Sequence, residues 1–444
     1  MRKAKIYYAR MDEFWRQEQK LSSLEKFESI QDVDWQEIEP DSKYTWLTED
    51  LESDFSSFIP IGSKEEKKEK GQDAKAIFQL FSLGIASNRD EWVFSFDEHD
   101  LQNKVKRLIE NYNIEVSRYS QQTSQVDIDR FINVDPTFVK WTDRLKAALQ
   151  QREIISFDIS KVRNSIYRPF IKKALYFDHL LNQRRYQQHL IFPTPETENE
   201  NQAFCLAGVG NRQAFGAFAT RCTISMDFAF EKAQLFPFYI YDKDGNNRKE
   251  NITDYALEQF QTHYQDPKIT KWDIFHYTYA LLHHPHYRQR YAANLKRELP
   301  RIPFAPEFQG FAIAGKRLTE IHINYEQQPE YRLKHIENKD LPIDWRVEKM
   351  RLSKDKTQIK YNDFLTLTGI PPETFEYKLG NRSALDWIID QYQVSTDKRS
   401  GIANDPNRLD DEEYIVRLIK QVITVSLETV KIVKSLPDLG LPKD

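Results

Sequence analysis

Between residues 165 and 241 the apolar positions stop following a helical three-to-four repeat and fall into short runs separated by turn residues. This change constrains the fold more than any other feature of the chain. The runs are 175–177, 204–208, 215–219, 223–226 and 236–241, and each reads as a strand. The last passes into Asp242-Lys-Asp-Gly245, whose Asp-Gly pair predicts a turn. Helical spacing returns on both sides. Leu101, Val105, Leu108, Ile109, Tyr112 and Val116 share one face of a helix over 98–117. Two more helices are predicted over 273–282 and 287–299, with Pro285 between them at a turn or first helical position. Further helices are expected over 383–392, where Ser383 is the N-cap, and over 412–434. Residues 5–9 and 92–94 read as strands, 13–28 as a helix, and the stretch 345–370 as a hairpin turning at Lys354-Asp355-Lys356. The expected class is therefore α+β: a mixed, mainly antiparallel sheet core in mid-chain, helical subdomains on either side and a C-terminal helix.

A chain of 444 residues should divide into two or three packed units. Its 28 Phe, 22 Tyr and 8 Trp are enough to build real cores. The mixed-charge run 64–70, followed by Gly71, predicts an exposed loop or boundary. No apolar run reaches the roughly 18 residues a membrane span needs, so no membrane partner and a cytoplasmic location are expected. Cys205 and Cys222 make neither a disulfide framework nor a zinc site, and Cys205 lies in an apolar run that suits a small buried side chain.

Net charge is slightly negative, with 64 Lys and Arg against 68 Asp and Glu, but the sign is unevenly spread. Residues 12–54 hold 14 acidic and 4 basic residues, whereas 140–191 hold 11 basic and 4 acidic. Only the second stretch suits phosphates. Smaller basic stretches follow at 288–301 and 346–360.

Motifs for autonomous chemistry fail on spacing. In Gly208-Val-Gly210-Asn-Arg-Gln213, Gln213 stands where a dinucleotide loop needs its third glycine, so the segment reads as a turn between strands that displays Asn211, Arg212 and Gln213. Asp242-Lys-Asp244-Gly245 lacks the ligand spacing of a calcium loop. His283, His284 and His286 lack the i, i+4 pair and carboxylate of a zinc hydrolase, which favours a structural role. Glu376-Tyr-Lys378 with Asp363 upstream faintly resembles the acidic-x-Lys end of a metal-dependent nuclease site. No methyltransferase cofactor loop or Asn-Pro-Pro-Tyr-type tetrapeptide is found; Pro371-Pro372 lies between Ile370 and Glu373.

Several long stretches resemble the type ISP restriction-modification enzymes: YRPF (167–170) with LYFD (175–178), FPTPETENEN (192–201), FPFYIYD (236–242), the run 272–306, YKLGNRSALDWIIDQY (377–392) and KRSGIANDPN (398–407). In that family one polypeptide combines nuclease, helicase-like translocase, adenine methyltransferase and a C-terminal specificity domain. The opening KIYYARMDEFW (5–15) is similar to the segment following the methyltransferase catalytic motif. The resemblance implies three parts: 1–65 as the tail of a methyltransferase module, 66–250 as an α/β target-recognition region, and 251–444 as the helical and hairpin C-terminal part of the specificity domain. It further implies that S-adenosylmethionine, ATP and Mg2+ serve other domains and not this chain. The implied partners are double-stranded DNA and the methyltransferase, translocase and nuclease domains of the parent enzyme.

Reading duplex DNA needs cations on phosphates and forked or amide side chains at base edges. By residue type and region, Lys161, Arg163, Arg168, Lys172 and Lys173 are assigned to the backbone. Arg184, Arg185, Asn211, Arg212, Gln213 and Arg221 are candidate readers, with Lys354 and Lys356 in the hairpin next. No catalytic or metal residue is assigned under this reading. The alternative is a truncated enzyme with nuclease-like activity built on Asp363, Glu376 and Lys378, and convergence of those three in space separates the two readings.

Overall fold

The computed structural model describes the chain except residues 1–3, 12–14, 41–45, 47–50, 63–74, 124–125 and 443–444. The run 64–71 lies outside the described residues, as does Glu13. Two compact units are present, Met1–Ser53 and Asp54–Asp444.

In the first unit Ile6–Tyr8 pairs antiparallel with Gln36–Ile38, Ile6 facing Ile38, and Lys5 is ion-paired to Glu37 at 3.1 Å. The expected helix is confined to Gln17–Leu24. No described residue of this unit is buried, and Tyr7, Trp15, Leu21, Leu24, Ile30, Trp35 and Trp46 are exposed.

The second unit is α+β and contains three four-stranded sheets. In the first, the order is Thr223–Ile224, Val162–Arg168, Ile171–Tyr176, Phe94–Ser95; the outermost pair at the Thr223 end is parallel and the other pairs are antiparallel. The helix Glu98–Ser120 packs its predicted apolar face, Leu101, Val105, Leu108, Ile109 and Tyr112, into a core shared with Leu175 and Tyr176 of this sheet. The second sheet is antiparallel throughout, in the order Ser82–Leu83, Gln234–Pro237, Ala203–Leu206, Ala217–Thr220. Its strands are buried along nearly their whole length, because aromatic and aliphatic side chains meet helices on one face and the rest of the unit on the other. The third sheet is the predicted hairpin, Arg351–Leu352 with Gln358–Lys360, extended by Leu365–Thr368 and Lys334–Glu337.

Helices Lys271–Leu281 and Phe308–Ile323 cross at backbone contact. A Cβ on Gly315 would lie 1.8 Å from the His276 carbonyl oxygen, so only glycine permits this approach. His322 joins that pair to the last helix, Tyr414–Lys434, through hydrogen bonds with the Tyr279 hydroxyl (2.6 Å) and Thr429 Oγ1 (2.9 Å). Burial pushes its imidazole down to about 3, so the ring is a neutral bridge. Ser383 caps Ala384–Gln391 and Pro285 opens Pro285–Arg290, as expected. The expected strand at 92–94 differs: Asp90–Val93 is a helical turn and only Phe94–Ser95 is strand. Trp92 and Val93 are both fully buried, and a short apolar run buried on all sides has no period to read. Cys205 is buried in the second sheet, and burial pushes the half-buried Cys222 thiol up to about 12. Among the described residues no helix is long and apolar enough to cross a membrane.

Candidate nucleic-acid interface

The edge of the first sheet opens into a cleft of about 600 Å³ whose lining is dominated by cations: Arg144, Lys161, Arg163, Arg184, Arg185 and Lys243, with His179 and His189. Four separate pieces of chain build it. Thr142 caps the helix Asp143–Gln150 and so fixes Arg144 in its first turn. Asp158 caps the single turn Ile159–Lys161, which delivers Lys161 to the start of the Val162–Arg168 strand. Arg184 is held by backbone bonds to Ala86 in both directions, at 2.9 and 3.0 Å. Lys243 sits in the predicted Asp242–Gly245 turn, closed by the Gly245 amide donating to the Asp242 carbonyl at 3.0 Å.

Two of the lining cations are tied to carboxyl groups of the protein. Burial alone would raise the Asp178 carboxyl. Hydrogen bonds from His179, Lys161 and the Leu181 amide outweigh it and hold the group well below the usual carboxylate range. Lys161 reaches Asp178 at 2.8 Å. Arg163 is buried in the floor: Nη1 donates to the Pro193 carbonyl (3.1 Å), Nη2 to that of Phe192 (3.3 Å), and the guanidinium pairs with Glu198. Burial raises Glu198 to about 7 despite that pairing. Arg185 lies over the Phe177 ring at 4.9 Å, and burial, then Arg185, lowers the His189 imidazole. The exposed side chains of Arg144, Arg184 and Lys243 make no hydrogen bond or ion pair with protein among the described residues. Uncompensated cations grouped around a concavity form an anion-binding surface.

The remaining candidates lie elsewhere. Arg168 covers the Tyr167 ring at 4.1 Å and donates to the Tyr167 carbonyl at 2.8 Å; Lys172 is paired with Glu326. Lys173 is buried between the Phe96 and Tyr167 rings, 4.4 Å from each, and donates to Asn404 Oδ1 at 2.8 Å. Burial lowers its ammonium to about 7. Asn211, Arg212 and Gln213 stand in the strand-to-strand turn, as expected, on a second cleft of about 510 Å³ shared with Phe215, Arg288 and Lys296. Asn211 is buried, accepting from the Gln213 amide (2.7 Å) and donating to the Glu231 carbonyl (3.3 Å); Arg212 is exposed. Arg221, at the other end of the Ala217–Thr220 strand, lines a third cleft with Gln202, Lys316 and Glu320. Lys354 is exposed at the hairpin tip and Lys356 lies 4.9 Å above the Phe375 ring.

Residues 76–419 match the family of Type ISP C-terminal specificity domains. The chain belongs to that family. The chain is similar to three solved structures of longer chains. It matches a nuclease-deletion mutant of the Type ISP restriction-modification enzyme LlaGI in complex with a DNA substrate mimic, at 31% identity and TM-score 0.85, over 99% of this chain and 40% of that one. It matches the DrdV–DNA complex at 36% identity and TM-score 0.87, over 98% of this chain and 44% of that one. The ATP-dependent Type ISP enzyme LlaBIII bound to DNA matches at 28% identity and TM-score 0.80, over 92% of this chain and 26% of that one. The chain thus spans less than half the length of each. No curated protein was found that matches it.

Asp363 is paired with Lys360 on the hairpin at 2.8 Å, and Glu376 with Lys434 on the last helix at 2.7 Å. Among the described residues no group of three His, Cys, Asp or Glu could hold a metal ion. His283 is a core side chain whose Nδ1 is bonded to the Tyr279 carbonyl at 2.8 Å. Sequence reasoning missed Arg144, His179, His189 and Lys243 as cleft residues, and Arg288 and Lys296 beside the Asn211 turn. Lys243 carried a signal, a lone cation in a predicted turn, and Arg144 carried only its place in the basic stretch 140–191.

Proposed function

We propose that this specificity domain recognises a particular sequence in double-stranded DNA and thereby directs adenine methylation and cleavage by other domains of a Type ISP enzyme in the cytoplasm. The carrying observation is the cleft in which Arg144, Arg184 and Lys243 present cations with no hydrogen-bond or ion-pair partner among the described residues. Duplex phosphates are the polyanion that such a surface suits, and their contacts set position while base edges set sequence. The three relatives bound to DNA or a DNA mimic support the same reading. The Asn211 turn is suited to reading. Asn211 stiffens it from inside, while Arg212 is exposed and Gln213 half-buried, and their side chains are of the kinds that make bidentate contacts to guanine and adenine. S-adenosylmethionine, ATP and Mg2+ belong in this scheme to the methyltransferase, translocase and nuclease domains.

The test is a duplex titration of the full chain at several salt concentrations, with a selection from random duplexes. Log affinity should fall linearly with log salt, by roughly 0.9 per phosphate neutralised, and the selection should return one preferred site. A salt-independent affinity, or a selection with no preferred sequence, overturns the proposal.

A further inference from the structure

The segment Ser395–Asn404 is a small hairpin outside all three clefts' basic linings. Ser395 pairs with Asn404 and Thr396 with Ala403. Its tip is rigidly built. The Asp397 carboxylate accepts from the Ser400 amide (2.7 Å), the Ser400 hydroxyl (2.9 Å) and the Arg399 amide (3.1 Å). The Asp397 amide donates to the Ile402 carbonyl and the Gly401 amide to the Asp397 carbonyl, both at 2.9 Å. Gly401 takes the left-handed backbone that this closure requires, at φ +69°.

The base is anchored as firmly. Asn404 accepts from the buried Lys173, Asp405 is paired with Arg346 at 2.8 Å, and the Val394 amide donates to the Glu348 carbonyl at 3.0 Å. Ile402 packs against the core of the long helix and first sheet. Lys140, at the start of the basic stretch, lies close enough to act electrostatically on Asp397. The strands of the hairpin line a cleft with Asp90, Glu91 and Lys173, and its tip presents Lys398 and Arg399. Both are exposed, and neither side chain has a protein partner among the described residues.

A rigid two-stranded ribbon ending in unpaired cations matches one partner closely. The DNA major groove is roughly 8.5 Å deep and admits a β-ribbon. Only two residues of each strand are paired, and the turn 397–402 that joins them holds Lys398 and Arg399 exposed at its tip. We propose that the Ser395–Asn404 hairpin enters the major groove of the bound duplex and that Arg399 reads a guanine there, with Lys398 on the adjacent phosphate. This rests on the proposed function and adds a reading element to it. Because the loop is fixed by Asp397 and Ser400 before binding, little ordering entropy is lost on insertion.

The test compares the full-length chain with Arg399→Ala and Arg399→Lys, by selection from random duplexes and by titration against bulk duplex at fixed salt. Alanine should lower the preference for G·C at one position of the site by about ten- to a hundredfold and leave bulk binding within about twofold. Lysine keeps the charge but loses the fork, so it should restore little of that preference. If alanine weakens all duplexes alike and lysine restores them, Arg399 is a phosphate contact and the reading role is overturned. If both variants match the parent, the hairpin does not enter the groove. If the parent itself shows no duplex preference, the function proposed above fails, a result distinct from either.

Discussion

The Arg184 cleft and the Arg212 cleft are similar in size, about 600 and 510 Å³, but their cations are held differently. Around Arg184 the lining is mostly charged, and its exposed cations Arg144, Arg184 and Lys243 have no hydrogen-bond or ion-pair partner among the described residues. Around Arg212 the walls are largely apolar, from Ala207, Phe215, Pro285, Ala292 and Leu295. There Arg288 is spent internally, its Nε donating to the Leu282 carbonyl at 2.6 Å. The difference teaches that one basic stretch of sequence delivers both paired and unpaired cations. What counts is which cations the fold leaves unpaired, and how many stand together. Many loose cations attract any phosphate, whereas one forked side chain and one amide on a stiff turn can discriminate among bases.

Removing charge from the first cleft should have the largest effect. The double substitution Arg184→Ala, Lys243→Ala is expected to weaken binding to every duplex about equally. The salt slope should flatten by roughly 0.9 for every phosphate that is no longer neutralised. A loss confined to the preferred site would break the comparison by making that cleft a reader. Arg212→Ala should cost less and act selectively. Affinity for the preferred site should fall by about tenfold, at the lower end of roughly 1 to 3 kcal/mol per bidentate pair, with bulk binding unchanged. An equal loss on all sequences would turn the second cleft into a holder.

The smallest effect concerns Lys173, which lies in neither cleft. Burial lowers its ammonium from 10.5 to about 7, so the unfolded chain binds this proton more tightly than the folded one. Stability should therefore rise between about pH 7 and 10.5, and the contribution should be lost as pH falls through about 7. Lys173→Met should flatten that rise by a few degrees of Tm without changing the salt slope of DNA binding at neutral pH. A changed slope would put Lys173 on the phosphates after all.

The sequence already held part of this distinction. Ile171, Lys173 and Leu175 share one phase of a strand, and the two-residue pleat turns them all inward, while Lys172 points the other way. Arg163 and Ser165 are likewise the buried phase of their strand. Residue type proposed these cations as phosphate holders, and the alternation would have separated them. The turns and caps at Asp242, Pro285, Ser383 and Lys354 were legible because their chemistry is local. The cleft was not, because Arg144, Lys161, Arg184 and Lys243 meet through tertiary packing that no window of sequence contains. Trp92 and Val93 were misread as strand for a related reason, since full burial erases the alternation that marks a half-exposed strand.

The two cysteines bear on how the molecule can be watched at work. Cys205 is sealed in a sheet and the Cys222 thiol is pushed up to about 12, so at neutral pH neither supplies an appreciable thiolate. The native chain is consequently a quiet background for maleimide chemistry. A single cysteine placed on the Ser395–Asn404 hairpin would take up a fluorophore almost alone, and its emission would report the arrival of a duplex directly.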